Sequence, residues 1–208
     1  MKKNQKNLNS IDNQIFELIN IRGHGAVFVP TDFLDLGSRQ AVDIALHRLV
    51  RKGTIRRLVR GIYDFPEEHP ILGKLQPSPE KIAEALLGRD CTRIQPTGAY
   101  AANILGLSEQ VPAKIVFLTD GPSRTVKIGA TTIQLRRTTP KNMAMAGRLS
   151  GLLVQALREL GKENVSAERL DHLKRTLPID KRKELLKDIR LAPEWMHSIF
   201  RKLAEESD

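Results

Sequence analysis

The chain has 208 residues, room for one large domain or two small ones. Its 34 lysines and arginines against 24 acidic residues leave a net charge of +10, which favours polyanionic partners without by itself separating DNA from RNA or a membrane surface. Aromatics are only 4% of residues, which argues against an open stacking platform for single strands and puts duplex nucleic acid ahead; Cys91 is the only cysteine, so no intramolecular disulfide can form.

The start, MKKNQKN, leads into polar LNSIDNQ without an apolar leader segment, and no apolar run reaches spanning length, so a cytoplasmic protein with no membrane partner is expected. Ile15, Phe16, Leu18 and Ile19 predict a first helix over Ser10 to Arg22, ended near Gly23 and Gly25. Thr31 after Pro30 caps a short second helix, TDFLDL, and Gly37 leaves only a tight turn before Ser38. From Ser38 a third helix buries Val42, Ala45, Leu46, Leu49 and Val50 on one face and projects Gln40, Ile44, His47 and Arg51 from the other. Ser38 stands at the N-cap, where a hydroxyl satisfies a free N–H, and Gly53 where the helix should stop. Thr54 to Leu58 and Ile62 to Phe65 predict two strands joined through Val59, Arg60 and Gly61.

Together these elements outline a winged helix-turn-helix over residues 1–66, whose outward helix face could enter a major groove. Arg56, Arg57 and Arg60 fall within five residues of the hairpin, and three guanidinium groups at one edge suit phosphate oxygens or a narrow minor groove. Arg48, Arg51 and Lys52 lie late in the helix, where cations also complement the macrodipole as plain solvated charges. Residues 1–66 hold eleven basic and six acidic residues against 23 and 18 in the remainder, so the basic excess is denser in the first third.

Residues 67–79, within the proline-bearing run PEEHPILGKLQPSP, read as a linker, and 80–208 as a helix-rich α+β domain with a small antiparallel sheet. Helices are predicted over Pro79 to Leu87 and Thr97 to Leu105, strands over Lys114 to Thr119, Val126 to Ile128 and Thr131 to Arg137, and a strongly patterned helix over Ala144 to Leu160. Ser166, Asp180 and Pro193 open three further short helices. This part shows no catalytic constellation: there is no Walker A pattern, Gly147 to Gly151 has its serine one place off a nucleophile elbow, and Gly37-Ser38 is not followed by the paired carboxylates of a nucleotidyltransferase. His24, His47, His69, His172 and His197 have no metal-ligand spacing. No enzyme activity, metal or cofactor is therefore expected. The loop TDGPSRT offers Asp120, Ser123 and Arg124 either as an anion nest or as an ordinary polar turn. Lys181, Arg182 and Lys183 crowd the start of the helix opened by Asp180, where the macrodipole disfavours them, which leaves an anionic partner or a solvated face with Glu184 and Asp188 as counter-charges.

The run from Ser38 to Tyr63, SRQAVDIALHRLVRKGTIRRLVRGIY, resembles the N-terminal winged-helix module of AbiEi-type antitoxins. PTGAYAANILGL from Pro96 to Leu107, KIVFLTDGPSR from Lys114 to Arg124, the hairpin ending in Leu135-Arg136-Arg137 and APEWM from Ala192 to Met196 are similar to that family's second domain. The resemblance implies a bacterial antitoxin that represses its own operon through promoter DNA and counters a cognate nucleotidyltransferase toxin, often in phage defence. It places the DNA role on Ser38, Arg39, Gln40, His47 and Arg51 of the helix and on Arg56, Arg57 and Arg60 of the wing. Arg136, Arg137, Lys181, Arg182 and Lys183 are the candidates for the antitoxic surface. Two other functions compete: a winged-helix transcription regulator whose second domain senses a small molecule, and an enzyme built on residues 80–208 around Asp120 or Arg124.

Overall fold

The computed structural model describes residues 10–87 and 93–205; Cys91 and the basic MKKNQKN start lie outside them. The fold is α+β and divides into two compact units, Met1–Cys91 and Thr92–Asp208.

The first unit is a winged helix-turn-helix. Helix α1 (Ile11–Arg22) begins where Ser10 accepts a hydrogen bond from the Asn13 N–H and stops where Gly23 turns to φ +80°. Strand β1 (Val27–Phe28), a 3-10 turn (Pro30–Leu36) and helix α2 (Arg39–Arg51) follow. The Ser38 hydroxyl accepts from the Ala41 N–H, as an N-cap serine should, and the backbone passes through Gly53 at φ +72° into the wing. The wing pairs β2 (Arg56–Val59) with β3 (Ile62–Asp64) around Gly61 at φ +79°, and β1 adds to the other side of β3 to give the order β1-β3-β2. Val42, Ala45, Leu46 and Leu49 of α2 meet Ile15 and Ile19 of α1 and Phe28, Phe33 and Tyr63 in one core. The Phe28 ring lies between Phe33, edge-on at 5.6 Å, and Tyr63, stacked at 6.3 Å, so β1 fastens the sheet to the helices.

Residues 67–79 are not a free linker. Glu68–His69 (β4) and Gly73–Lys74 (β5) pair as a small hairpin, closed by the Leu75 N–H bonding to the Glu67 carbonyl. The Arg56 guanidinium donates to the Leu75 carbonyl at 2.7 Å, and His24 donates from Nδ1 to the Pro66 carbonyl at 2.8 Å while stacking on Phe65. Helix α3 (Pro79–Leu87) packs on β1 and belongs to this unit, so the boundary falls after it instead of before it.

The second unit is built on strands β6 (Ile94–Thr97), β7 (Lys114–Thr119), β8 (Arg124–Ile128) and β9 (Thr131–Arg137) in the order β6-β7-β9-β8. The expected antiparallel sheet is mixed: β7 and β9 run parallel, because the β8–β9 hairpin inserts β9 beside β7 and leaves β8 at the edge. Helix α4 (Gly98–Ile104) follows β6. Helix α5 (Leu149–Leu160) starts later than its apolar pattern implies, because Gly147 at φ +77° and extended Arg148 break the chain there. Gly151 accommodates the segment before the break: a Cβ there would overlap the Met145 carbonyl oxygen and the Gln95 side chain. Helices α6 (Ala167–Thr176), α7 (Ile179–Glu184) and α8 (His197–Ala204) complete a helical core around Leu153, Leu157, Leu173, Leu185, Met196 and Phe200. Among the described residues no helix is long and apolar enough to cross a membrane.

Candidate nucleic-acid interface

Helix α2 is positioned by its buried stripe, which leaves Gln40, Ile44, His47 and Arg51 on the exposed side as their spacing predicts. Arg39, Gln40, Asp43, Ile44 and His47 border a shallow depression of about 570 Å³ on that side. Ile44 is 45% exposed, so the face mixes amide, imidazole and aliphatic groups, the set that reads base edges and thymine methyls.

The cations around this face fall into two groups. Arg39 is held by Asp43 one turn on, at 3.1 Å, and Arg48 reaches Asp12 of α1 at 3.4 Å. Arg56, expected at the wing surface, is instead a structural residue: its Nε and Nη2 donate to the two oxygens of Asp64 at 3.0 and 2.6 Å, and Nη2 also donates to the Leu75 carbonyl. The Asp64 side chain is 1% exposed, so Arg56 compensates a carboxylate that would otherwise be buried without a counter-charge. Hydrogen bonding to Asp64 raises the Arg56 guanidinium above its ordinary pKa, against the opposing effect of burial and with the carboxylate's charge adding to the rise. By alternation along β2, Arg57 points away from this pair and is exposed, as is Arg60 at the turn. Arg51, Lys52, Arg57 and Arg60 are exposed, have no acidic partner among the described residues and are left free for a phosphate. Ser38 is committed to capping through its Oγ acceptor role.

The second group of candidates does not form one surface. Arg136 and Arg137 are exposed and adjacent on β9, so their side chains leave opposite faces of the sheet. Lys181 pairs with Glu184 at 3.4 Å, and Lys183 is exposed. Arg182 is buried, contrary to a surface role: its guanidinium donates to the Leu177 carbonyl at 3.2 Å and to the Leu203 and Glu205 carbonyls at 2.7 and 2.9 Å, tying α7 to the ends of α6 and α8. Asp188 is not their counter-charge. It accepts from Arg148 at 2.6 Å and from the Ser150 hydroxyl, beside a cleft of about 410 Å³ that Lys181, Glu184 and Lys187 also line. In the TDGPSRT loop, Asp120 accepts from the Arg93 backbone and side chain, and Ser123 accepts from the Arg137 N–H. Among the described residues no three His, Cys, Asp or Glu side chains converge as a metal site would require.

Sequence reasoning missed β1 and the Arg56–Asp64 pair. Asp64, the one acid inside the wing strands, was the signal for the second. No curated protein matches the chain. Residues 14–185, from α1 through α7, match DUF6088, a family of unknown function, and the chain belongs to it.

Proposed function

We propose that this protein is an autorepressing antitoxin whose first unit binds the duplex DNA of its own promoter and whose second unit counters a nucleotidyltransferase toxin. The observation that carries the DNA half is the division of the cations: Arg39, Arg48 and Arg56 are neutralised within the fold, while Arg51, Arg57 and Arg60 stay exposed around an outward helix face bearing Gln40 and His47. Gln40 can pair with an adenine edge in the major groove, and Arg57 and Arg60 meet phosphates or an adjacent minor groove. Ser38 fixes the helix start and Arg56 fixes the wing.

The antitoxin half rests on the ordered resemblance to AbiEi-type proteins over β6 and α4, β7 with its loop, the end of β9 and the segment before α8. Arg136, Arg137, Lys181 and Lys183 are its surface candidates, Arg182 being committed to the interior. The test is expression of the gene next to its own, which this reading expects to encode a nucleotidyltransferase, with and without this protein. Lethality relieved by wild type and by an R57Q/R60Q variant, with promoter repression lost only in the variant, supports both halves. Growth that is indifferent to the protein overturns the antitoxin half. The cleft beside Asp188 favours one second reading, a regulator whose promoter affinity responds to a small anionic ligand.

A further inference from the structure

We propose that the open face of the second unit's sheet binds double-stranded RNA. The register sets the side chains of this face in rows across three strands. Lys114, Thr132 and Lys127 form one row, Val116, Gln134 and Thr125 the next, and Leu118 and Arg136 a third. The opposite face carries Ile115, Phe117, Ile133 and Leu135, all buried. Helix α5 covers the β6 side of the open face, where the Thr97 hydroxyl donates to Gln155 at 2.7 Å and Leu118 is buried. Lys114, Thr125, Lys127 and Arg136 remain exposed.

The cations of this face have no counter-charge beside them. Most arginines near a carboxylate use it, as Arg22, Arg39, Arg48, Arg56, Arg93 and Arg148 do. Lys114, Lys127 and Arg136 have no ion pair among the described residues, and no strand of the sheet contains an Asp or Glu. Two inter-strand steps put Lys114 and Lys127 ~10 Å apart, and four residues along β9 put Arg136 ~13 Å from that row. Such a spread suits several phosphates of a polymer better than one small anion.

The shape and the groups between the cations select the polymer. Single strands need aromatic rings to stack on, and the outward positions of β7, β8 and β9 have none. A B-form major groove needs a protruding helix or ribbon, and a sheet face is low in relief. A protein partner would need a large, central apolar anchor, and the only aliphatic side chain not buried on the outward positions of these strands is the small, half-buried Val116. The wide, shallow minor groove of A-form RNA presents 2′-hydroxyls and flanking phosphates, and the hydroxyls of Thr125 and Thr132 with the Gln134 amide both donate and accept among the cations. This inference concerns a different unit from the DNA reading and stands or falls separately from it.

The test is a binding titration of the full-length protein against a labelled RNA hairpin, a DNA hairpin of the same sequence and the single-stranded RNA, compared with a K114Q/K127Q/R136Q variant. The expected result is preference for the RNA hairpin, a loss of about tenfold or more in the variant, and a slope of log affinity against log salt flattened by ~2 to 3. In an R57Q/R60Q background, which removes the first unit's wing cations, the three sheet substitutions should cause the same fold loss of RNA-hairpin affinity. Thr125→Glu, which removes no cation and adds a carboxylate to the face, should reproduce the loss and guards against a misfolded triple variant. Unchanged RNA affinity in both sheet variants overturns the proposal. So does equal affinity for the DNA and RNA hairpins in the R57Q/R60Q background, where the first unit's wing cations are gone, or preference for the single strand there.

Discussion

Replacing Arg56 with glutamine separates a structural wing arginine from a DNA-contacting one. The change leaves the Asp64 carboxylate, 1% exposed, without its two charge-assisted hydrogen bonds and without a nearby cation. Breaking a buried pair by removing one partner costs ~3 to 5 kcal/mol. The Arg56 side chain is itself 26% exposed, so water reaches the vacated space and a cost reduced by that solvation, ~2 to 4 kcal/mol, is expected. For a unit of this size each kcal/mol lowers the melting temperature by ~4 to 8 °C, so the first unit should melt on the order of 10 to 30 °C earlier. Arg57→Gln and Arg60→Gln, at exposed sites, should stay within ~0.5 kcal/mol of wild type. A double variant, Arg56→Met with Asp64→Leu, should recover much of the loss, because no buried charge is then left uncompensated. The assay is denaturant and thermal unfolding of the full-length chain followed beside DNA binding. An R56Q protein as stable as wild type that nevertheless loses DNA affinity as R57Q does would refute the reasoning and return Arg56 to the phosphate-contacting surface.

Three further outcomes follow from the same geometry. Gln40→Ala should cost ~1 to 3 kcal/mol at the cognate site and relax preference at one base pair, with affinity for unrelated DNA unchanged, read by selection of bound sequences. Gly151→Ala should destabilise the second unit by ~1 to 3 kcal/mol in unfolding measurements, since the added methyl meets backbone at Met145 that cannot move aside cheaply. Arg182→Gln should cost ~2 to 3 kcal/mol because carbonyls of Leu203 and Glu205 lose their donor, whereas Lys181→Gln should be nearly neutral in the same assay.

Local signals carried most of the first unit. The bounds of α2, its cap at Ser38 and the stripe from Val42 to Leu49 follow from period and capping chemistry, both written within a few residues. Strand β1 escaped because two residues carry no period; only pairing with Tyr63 and Asp64 defines it. The β4–β5 hairpin escaped for a similar reason, its prolines and charges reading as linker until Arg56 and Leu75 join it to the wing. Strand β6 contains Pro96, which argues against a central strand, and the sheet resolves this by placing β6 at an edge. The parallel β7–β9 pairing was hidden because strands adjacent in sequence usually pair, and nothing local records that β9 inserts between β7 and β8. At the candidate interface, composition located the arginines but not their partners. Asp64 lies eight residues from Arg56 and Asp12 lies 36 from Arg48, so which cations are free is a property of tertiary contacts.

The central claim is that α2 and the wing form a sequence-reading DNA surface, and a footprint of the full-length protein on the DNA upstream of its own gene tests it most directly. The account predicts a protected major-groove segment with protection extending into the adjoining minor groove on the wing side. It also predicts a slope of log affinity against log salt that falls by ~0.9 for each of Arg57 and Arg60 changed to glutamine. Affinity for that DNA no greater than for a scrambled duplex, with a salt slope that R57Q/R60Q does not alter, would contradict it.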